Sequence, residues 1–156
     1  MKAGLNNPLV RAGLVLGMGF MGLADGIVLH QILGWHHLIC VTEFCTPVSV
    51  AQLEIQNTQD GFFHLALWLV LLSGTGMLFR ASRLAGWAGQ GKILIGAMLA
   101  GAGLFNFIEG LVDHHLLAIH HVLPGSPHQM FFDLLWLEIG ALLCLFGVGL
   151  MRSQKI

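Results

Sequence analysis

The chain has 156 residues, of which only 10% are Asp, Glu, Lys or Arg, whereas soluble domains average about 25%. With 56% hydrophobic residues and 21 glycines, the composition excludes an ordinary water-soluble domain and is typical of closely packed transmembrane helices. The formal net charge of -1 excludes a basic nucleic-acid-binding surface. Nine histidines stand against seven Lys plus Arg, a number that a simple membrane anchor does not require.

Four segments are long and apolar enough to cross a bilayer, whose hydrocarbon core needs about 20 residues of helix. The sequence predicts them near residues 9–34, 62–79, 93–118 and 130–151. The first segment follows Lys2 as a signal peptide would, but its apolar run is too long for one. We therefore predict a single-domain, all-α integral membrane protein that forms a four-transmembrane-helix bundle in the lipid bilayer.

The basic residues predict the orientation of the chain. They fall at the N-terminus, in the loop between the second and third spans, or at the C-terminus: Lys2, Arg11, Arg80, Arg83, Lys92, Arg152 and Lys155. By the positive-inside rule, both termini are cytoplasmic and the 38–60 and 119–129 loops lie outside. We expect a multi-pass protein of the bacterial inner membrane.

The longest connection is the outer loop, residues 38–60. Thr46-Pro47, followed by spaced apolar residues, predicts the start of a short amphipathic helix that could act as a lid over the bundle. Cys40 and Cys45 lie in the same loop. A disulfide between them would fit an oxidising compartment, although the spacing does not demand one.

A repeated motif carries the polar residues of the first and third spans. At a constant offset of 84, Asp25 corresponds to Glu109, and six pairs are identical: Gly26/Gly110, Val28/Val112, His30/His114, Leu33/Leu117, His36/His120 and His37/His121. Phe62-Phe63-His64 and Phe131-Phe132-Asp133 form a weaker echo in the second and fourth spans. The repeat predicts two parallel-related helical hairpins, about 9–80 and 93–152, around a pseudo-two-fold axis along the membrane normal.

The polar residues of the repeat lie in the outer half of the membrane. At 1.5 Å per residue, His30 and His114 lie on the order of 10 Å below the outer helix ends. The matched acids lie about 18 Å below the same helix ends. At 100° per residue, His30 and His37 share one helix face. Ionisable groups at such depth are costly, face the bundle interior and mark functional sites.

We therefore predict a dinuclear or multinuclear His/carboxylate metal centre, the kind of site that four-helix bundles hold in their cores. Its candidate ligands are Asp25, His30, His36, His37, His64, Glu109, His114, His120, His121 and Asp133. Of these, His64 and Asp133 are equally good candidates for orienting a ligand. Copper, iron and zinc all accept imidazole with carboxylate, so the metal stays open.

Two further carboxylates are candidate catalytic residues. Glu138 is predicted to face inward and to move protons, and Asp113 shares the helix face of Glu109. His115 and His128 have no counterpart in the repeat, so a surface or capping role is as good an interpretation for them.

The motifs Asp25-Gly-Ile-Val-Leu-His30 and Glu109-Gly-Leu-Val-Asp113-His114-His115, each followed by a His-His pair, resemble those of a family of small bacterial four-span membrane proteins of unknown function. The resemblance covers nearly the whole chain and implies a fold but no activity. The histidine content is also similar to that of membrane fatty-acid desaturases and hydroxylases, whose histidine boxes hold two irons. Those boxes are more closely spaced and cytoplasmic, so this likeness is one of chemistry only.

Three functions remain open at this point. The leading hypothesis is a metal-dependent enzyme, either an O2-dependent oxidase or hydroxylase of a lipid-soluble substrate or a hydrolase that uses a metal-bound water. The second is a protein that delivers copper or zinc at the periplasmic face to a partner such as a respiratory oxidase. The third is a b-type haem protein with His30 and His114 as axial ligands. The sequence also leaves a homo-oligomer open.

Overall fold

The computed structural model describes residues 4–40, 42, 45–85 and 90–153, and these residues form helices and loops without any strand. Helix α1 spans Pro8–Asp25 and continues as a π-helix, π1, over Gly26–Ile32. Helix α2 spans Val50–Ala85, α3 spans Gly91–Glu109 and continues as π2 over Gly110–Leu116, and α4 spans Gln129–Ser153. Within these described residues, four helices are long and apolar enough to cross a membrane, which confirms the predicted fold class.

The second membrane helix is much longer than the predicted span of 62–79. It has 36 residues and starts at Val50, within the outer loop. The loop segment that follows Pro47 is therefore helical, but it runs without a break into the span and does not form a separate lid helix. Cys40 and Cys45 are joined by a disulfide, which closes the loop beside the start of α2.

Helices α1 and α3 form the centre of the molecule, with α2 packed on α1 and α4 packed on α3. Glycines allow these backbones to approach closely. A Cβ on Gly17 would overlap the Met98 carbonyl oxygen, and one on Gly101 would overlap the Leu14 carbonyl oxygen. Gly17 and Gly101 correspond in the repeat, so the α1–α3 contact is the same from both sides, as expected for small-residue packing in a membrane.

Both central helices change from α to π geometry at the repeated glycine. The Leu33 N–H donates to the Val28 carbonyl (2.9 Å) and the Leu117 N–H donates to the Val112 carbonyl (2.8 Å), both five residues apart. In an α-helix, residues five apart lie about 140° from each other around the axis. The wider π turn makes them neighbours. The helical phase expected from the sequence is therefore wrong beyond Asp25, and His30 turns back toward that carboxylate.

Each π-helix is followed by a residue in the left-handed backbone region. Gly34 has φ of 57° and Ala118, its counterpart in the repeat, has φ of 48°. This reversal turns the chain so that the next histidines point back into the protein. Glycine adopts the conformation without strain, whereas the Cβ of an alanine clashes with its own backbone there.

We predict that Ala118→Gly stabilises the protein by about 0.5–1 kcal/mol, because glycine removes the strain at positive φ. The measurement is thermal unfolding of the purified protein in detergent. Ala102→Gly, in the interior of α3, is the matched control and should destabilise by about 1 kcal/mol, because its backbone is helical. A lower melting temperature for both variants would contradict the prediction.

Candidate metal centre

Two matched groups of side chains converge where the central helices become π-helices. The first triad consists of Asp25, His30 and His36, and the second triad consists of Glu109, His114 and His120. Within each triad, one potential ligand atom from every residue lies within 4.8 Å of the others. All six residues were predicted as ligands from the repeat, and the structure brings them together in these two groups.

The triads adjoin each other across the α1–α3 interface. The rings of His36 and His120 stack with their centroids 4.7 Å apart and their planes 8° from parallel. Each of these rings also contacts the other histidine of its own triad, with centroids 4.7 Å apart in the first and 4.9 Å in the second. The four imidazoles therefore form one continuous cluster with a carboxylate at each side.

Crossed hydrogen bonds orient the stacked imidazoles. The Nδ1 of His36 lies 2.8 Å from the Val122 carbonyl oxygen, and the Nδ1 of His120 lies 3.0 Å from the Leu38 carbonyl oxygen. Since a carbonyl only accepts, both Nδ1 atoms carry the proton. Burial, together with the rings of His120 and His30, lowers the pKa of His36 to about 3. Its Nε2 is then unprotonated and has a free lone pair, the form that binds metals.

The ligand atoms are spaced as neighbours around a metal ion would be. Asp25 Oδ2 lies 3.4 Å from His30 Nε2, and Asp25 Oδ1 lies 3.8 Å from His36 Nε2. In the second triad, Glu109 Oε1 lies 3.1 Å from His114 Nε2 and 3.2 Å from His120 Nε2. Metal–ligand bonds of about 2.0–2.2 Å place adjacent ligands about 3.0–3.5 Å apart.

Four of these buried atoms have no hydrogen-bond partner among the described residues. They are Asp25 Oδ1, His30 Nε2, His36 Nε2 and His114 Nε2. A buried polar atom without a partner costs about 1–3 kcal/mol, and native proteins rarely collect several in one place unless an ion or water completes them. The donor set of each triad, two imidazoles and one carboxylate, fits a transition metal.

Asp60, which the sequence analysis missed, supports the first triad on the side opposite the converging ligand atoms. Its carboxylate accepts from the Nδ1 of His30 (3.0 Å), the Nδ1 of His37 (2.6 Å) and the backbone N–H of Leu38 (2.9 Å). The residue is fully buried at the point where α2 enters the bundle. Its role could have been inferred from an acid near the outer start of both flanking spans, but the weak echo paired Asp133 with His64 instead.

Asp133 lies in the equivalent place beside the second triad and is the true counterpart of Asp60. It accepts from the Nδ1 of His121 (2.7 Å) and the N–H of Val122 (2.9 Å), and it lies 3.7 Å from the Nδ1 of His114. The structure thus places Asp133, His37 and His121 beside the triads rather than in them. His37 hydrogen-bonds to Asp60 and His121 to Asp133, so each supporting aspartate has a histidine partner outside the triads.

The remaining predicted site residues have different surroundings. The Nε2 of His64 lies against Gly26, outside both triads, at a distance that leaves no room for a Cβ on that glycine. Asp113 is half-buried and close enough to Glu109 and His120 for electrostatic interaction. Glu138 does not face inward as expected: it is exposed on α4, because a regular helix turns it about 140° away from the buried Asp133.

The two triads differ in the third residue after each supporting aspartate. Trp136 donates its indole N–H to Glu109 Oε2 (2.7 Å), so this carboxylate has a fixed partner. At the corresponding place Phe63 stacks on the ring of His30, with centroids 5.5 Å apart, and offers no donor to Asp25. The centre is therefore two-fold in its ligands but asymmetric in its surroundings.

Two cavities reach the cluster from different sides. A cavity of about 440 Å³ in the outer loops is lined by Cys40, Thr42, Ala118, Ile119, His120, His121, Pro124 and Gln129. Another, of about 320 Å³, lies between α2 and α3 and is lined by Met18, Phe63, Phe105, Ile108, Glu109, Val112 and Asp113. The first contains polar groups, whereas the second has apolar walls except for its two carboxylates.

A family model described as "Predicted membrane protein (DUF2243)" matches residues 12–154, a range that includes both triads and both supporting aspartates. The chain belongs to this family. No curated protein and no solved structure matches the chain. Membership of the DUF2243 family confirms the expected resemblance and the membrane location, and it carries no activity.

We predict that Asp60→Asn and Asp133→Asn each destabilise the protein by about 1–3 kcal/mol. The NH2 of the asparagine amide would face a buried N–H group that the carboxylate now accepts from, and two donors cannot bond to each other. Thermal unfolding of the purified protein in detergent measures the change. Asn57→Ala on the exposed side of α2 is the control and should stay within about 0.5 kcal/mol of the parent. Unchanged stability in both aspartate variants would show that these carboxylates do not hold the histidines.

Proposed function

We propose that this protein is an integral membrane metalloprotein that binds two transition-metal ions, one in each triad. The observation that carries the proposal is the convergence of two imidazole Nε2 atoms on one carboxylate, twice, with three of the four Nε2 atoms lacking a hydrogen-bond partner among the described residues. A bound metal ion would give every one of these atoms a partner. Hydrogen bonding within the cluster leaves four of them without one.

The groups behind the imidazoles support the same interpretation. Metal-binding histidines usually donate their second ring N–H to a carboxylate or a backbone carbonyl, which fixes the ring and its tautomer. His30 has Asp60 in this position, His36 has the Val122 carbonyl and His120 has the Leu38 carbonyl. Such an arrangement prepares the opposite nitrogen for a metal, whereas a purely structural histidine needs no such support.

The donor set favours iron and O2 chemistry over the other choices. Two histidines and one carboxylate that leave coordination positions open are typical of non-haem Fe(II) oxygenases, although copper and zinc accept the same ligands. Two adjoining centres suit a reaction that needs more than one electron. We therefore propose O2-dependent oxidation, with hydrolysis by a metal-bound water as the outcome if the protein binds zinc.

The cavity between α2 and α3 supports a lipid-soluble substrate. Its residues belong to membrane-spanning helices, and its apolar walls end at Glu109 and Asp113. A lipid-soluble molecule with one polar end could enter from the bilayer and present that end to the second triad. Asp113 is then the best candidate for a proton-transferring residue, because it lines the cavity without belonging to either triad.

We place this centre in the outer half of a bacterial inner membrane, facing the periplasm. The positive-inside rule supports this orientation, since the basic residues lie at the other ends of the spans. The disulfide between Cys40 and Cys45 also supports it, because disulfides persist in oxidising compartments.

Metal delivery at the outer face is the second candidate function, and the outer cavity favours it. His120 and His121 line that cavity, which gives an ion a polar route to the second triad. Rapid loss of metal to an external chelator would support delivery, whereas slow loss together with an O2-sensitive optical spectrum would support the enzyme. The haem alternative has little support, because direct contact among the four imidazoles leaves no space for a porphyrin between them.

We expect protein purified without chelator to carry about two equivalents of transition metal per chain. Elemental analysis measures it. His30→Ala and His114→Ala should each lose about one equivalent, because each removes a ligand from one triad. The control is His128→Ala, an exposed histidine outside both triads, which should keep the full content. Less than about half an equivalent in the parent, with neither variant differing from it, would refute the metal centre.

We further expect Asp60→Asn to weaken metal affinity by about 10–100-fold without changing the number of metal ions bound at saturation, because Asp60 orients His30 but lies outside the triad. Competition with a chelator of known affinity measures this. Asp25→Asn is the comparison: it alters a ligand and should reduce the stoichiometry itself. Identical affinity in the parent and in Asp60→Asn would contradict the supporting role.

A further inference from the structure

In the part of the chain that the structure describes, the helix ends opposite the metal centre carry positive charge and no acidic side chain to balance it. The described basic residues all lie at this end: Arg11, Arg80, Arg83, Lys92 and Arg152. The described segments 4–24, 61–85, 90–108 and 139–153 contain no Asp or Glu. Arg11 lies about 21 Å along the helix from Asp25. Within the described residues, no acidic side chain is available to pair with these cations, so an anionic ligand from outside the chain would be favoured here.

Two of these arginines line one cavity between α1 and α2. Arg11 comes from the first turns of α1 and Arg80 from the last turns of α2, and the cavity of about 220 Å³ is completed by Pro8, Met77, Ala81 and Leu84. Among the residues that the structure describes, neither guanidinium has a hydrogen-bond or ion-pair partner. Arg83, one turn further along α2, differs because it packs 4.4 Å over the ring of Phe79.

We propose that this cavity binds the head-group phosphate of an anionic phospholipid. A guanidinium presents paired N–H donors that match phosphate oxygens, and two of them from different helices can hold one phosphate. The other lining residues are apolar and belong to membrane-spanning helices, which suits the adjoining glycerol and acyl chain. Basic pockets between transmembrane helices on the cytoplasmic side bind anionic lipids in this way.

A lipid fits these observations better than a free phosphate ion. A free ion would leave the apolar wall formed by Met77 and Leu84 facing water, whereas a phospholipid covers it with its own chain. The bound lipid would join α1 to α2 at the end farthest from the metal centre. The site is therefore independent of the proposed metal chemistry.

The test is thermal unfolding of delipidated protein in a neutral detergent with added phosphatidylglycerol, phosphatidylcholine or inorganic phosphate. We expect phosphatidylglycerol alone to raise the melting temperature in a saturable manner. Arg11→Gln and Arg80→Gln should each weaken its apparent affinity at least about fivefold, as loss of a charged hydrogen bond implies. Arg83→Gln, on the same helix but outside the cavity, is the control and should bind as the parent does.

Two results would overturn the proposal: equal stabilisation by phosphatidylcholine or inorganic phosphate, or unchanged phosphatidylglycerol affinity in both cavity variants. If a glutamine variant does not fold, Arg11→Lys and Arg80→Lys keep the charge but lose the paired donors, and their affinity should fall between those of the parent and of a neutral variant. Affinity equal to the parent's in both lysine variants would exclude recognition of phosphate by paired donors. Metal content should be the same in all of these variants.

Discussion

The burial of ionisable groups within a membrane is the constraint on which the rest of this structure depends. Every imidazole and carboxylate placed there needs a partner from the protein or from a bound ion, because the surrounding lipid offers none. The chain meets this need with two aspartates, Asp60 and Asp133, that each contact two histidines and one backbone N–H. Since these aspartates lie on the flanking helices, the polar cluster fixes how α2 packs on α1 and how α4 packs on α3.

The geometry of the cluster depends on three successive backbone features. Close glycine contacts bring α1 and α3 together, the π-helices then rotate His30 and His114 toward the acids that precede them, and the positive φ at Gly34 and Ala118 returns the chain toward the centre. Each step is present in both repeats. An unbroken α-helix through either segment would separate the carboxylate from the histidine five residues later and leave both without a partner in lipid.

The sequence was informative where a single physical rule dominates. Hydrophobic length located four spans, and the repeat identified all six triad residues. It could not reveal the π-helices, since a phase of 100° per residue assumes regular hydrogen bonding. Asp60 was missed because loops of different length separate it and Asp133 from their histidines, so no constant offset relates both pairs. Glu138 was misplaced because the inward face of α4 is set by packing rather than by polarity alone.

The crossed hydrogen bonds of His36 and His120 have a consequence for the origin of the protein. Each repeat uses a carbonyl from the other repeat to orient one of its own histidines, so a single hairpin would leave one histidine of its triad without that hydrogen bond. An ancestral half-length chain would therefore have needed a second copy of itself in the same membrane orientation, which a symmetric homodimer provides. Gene duplication and fusion would then have freed the halves to diverge, as the difference between Phe63 and Trp136 beside the two triads illustrates.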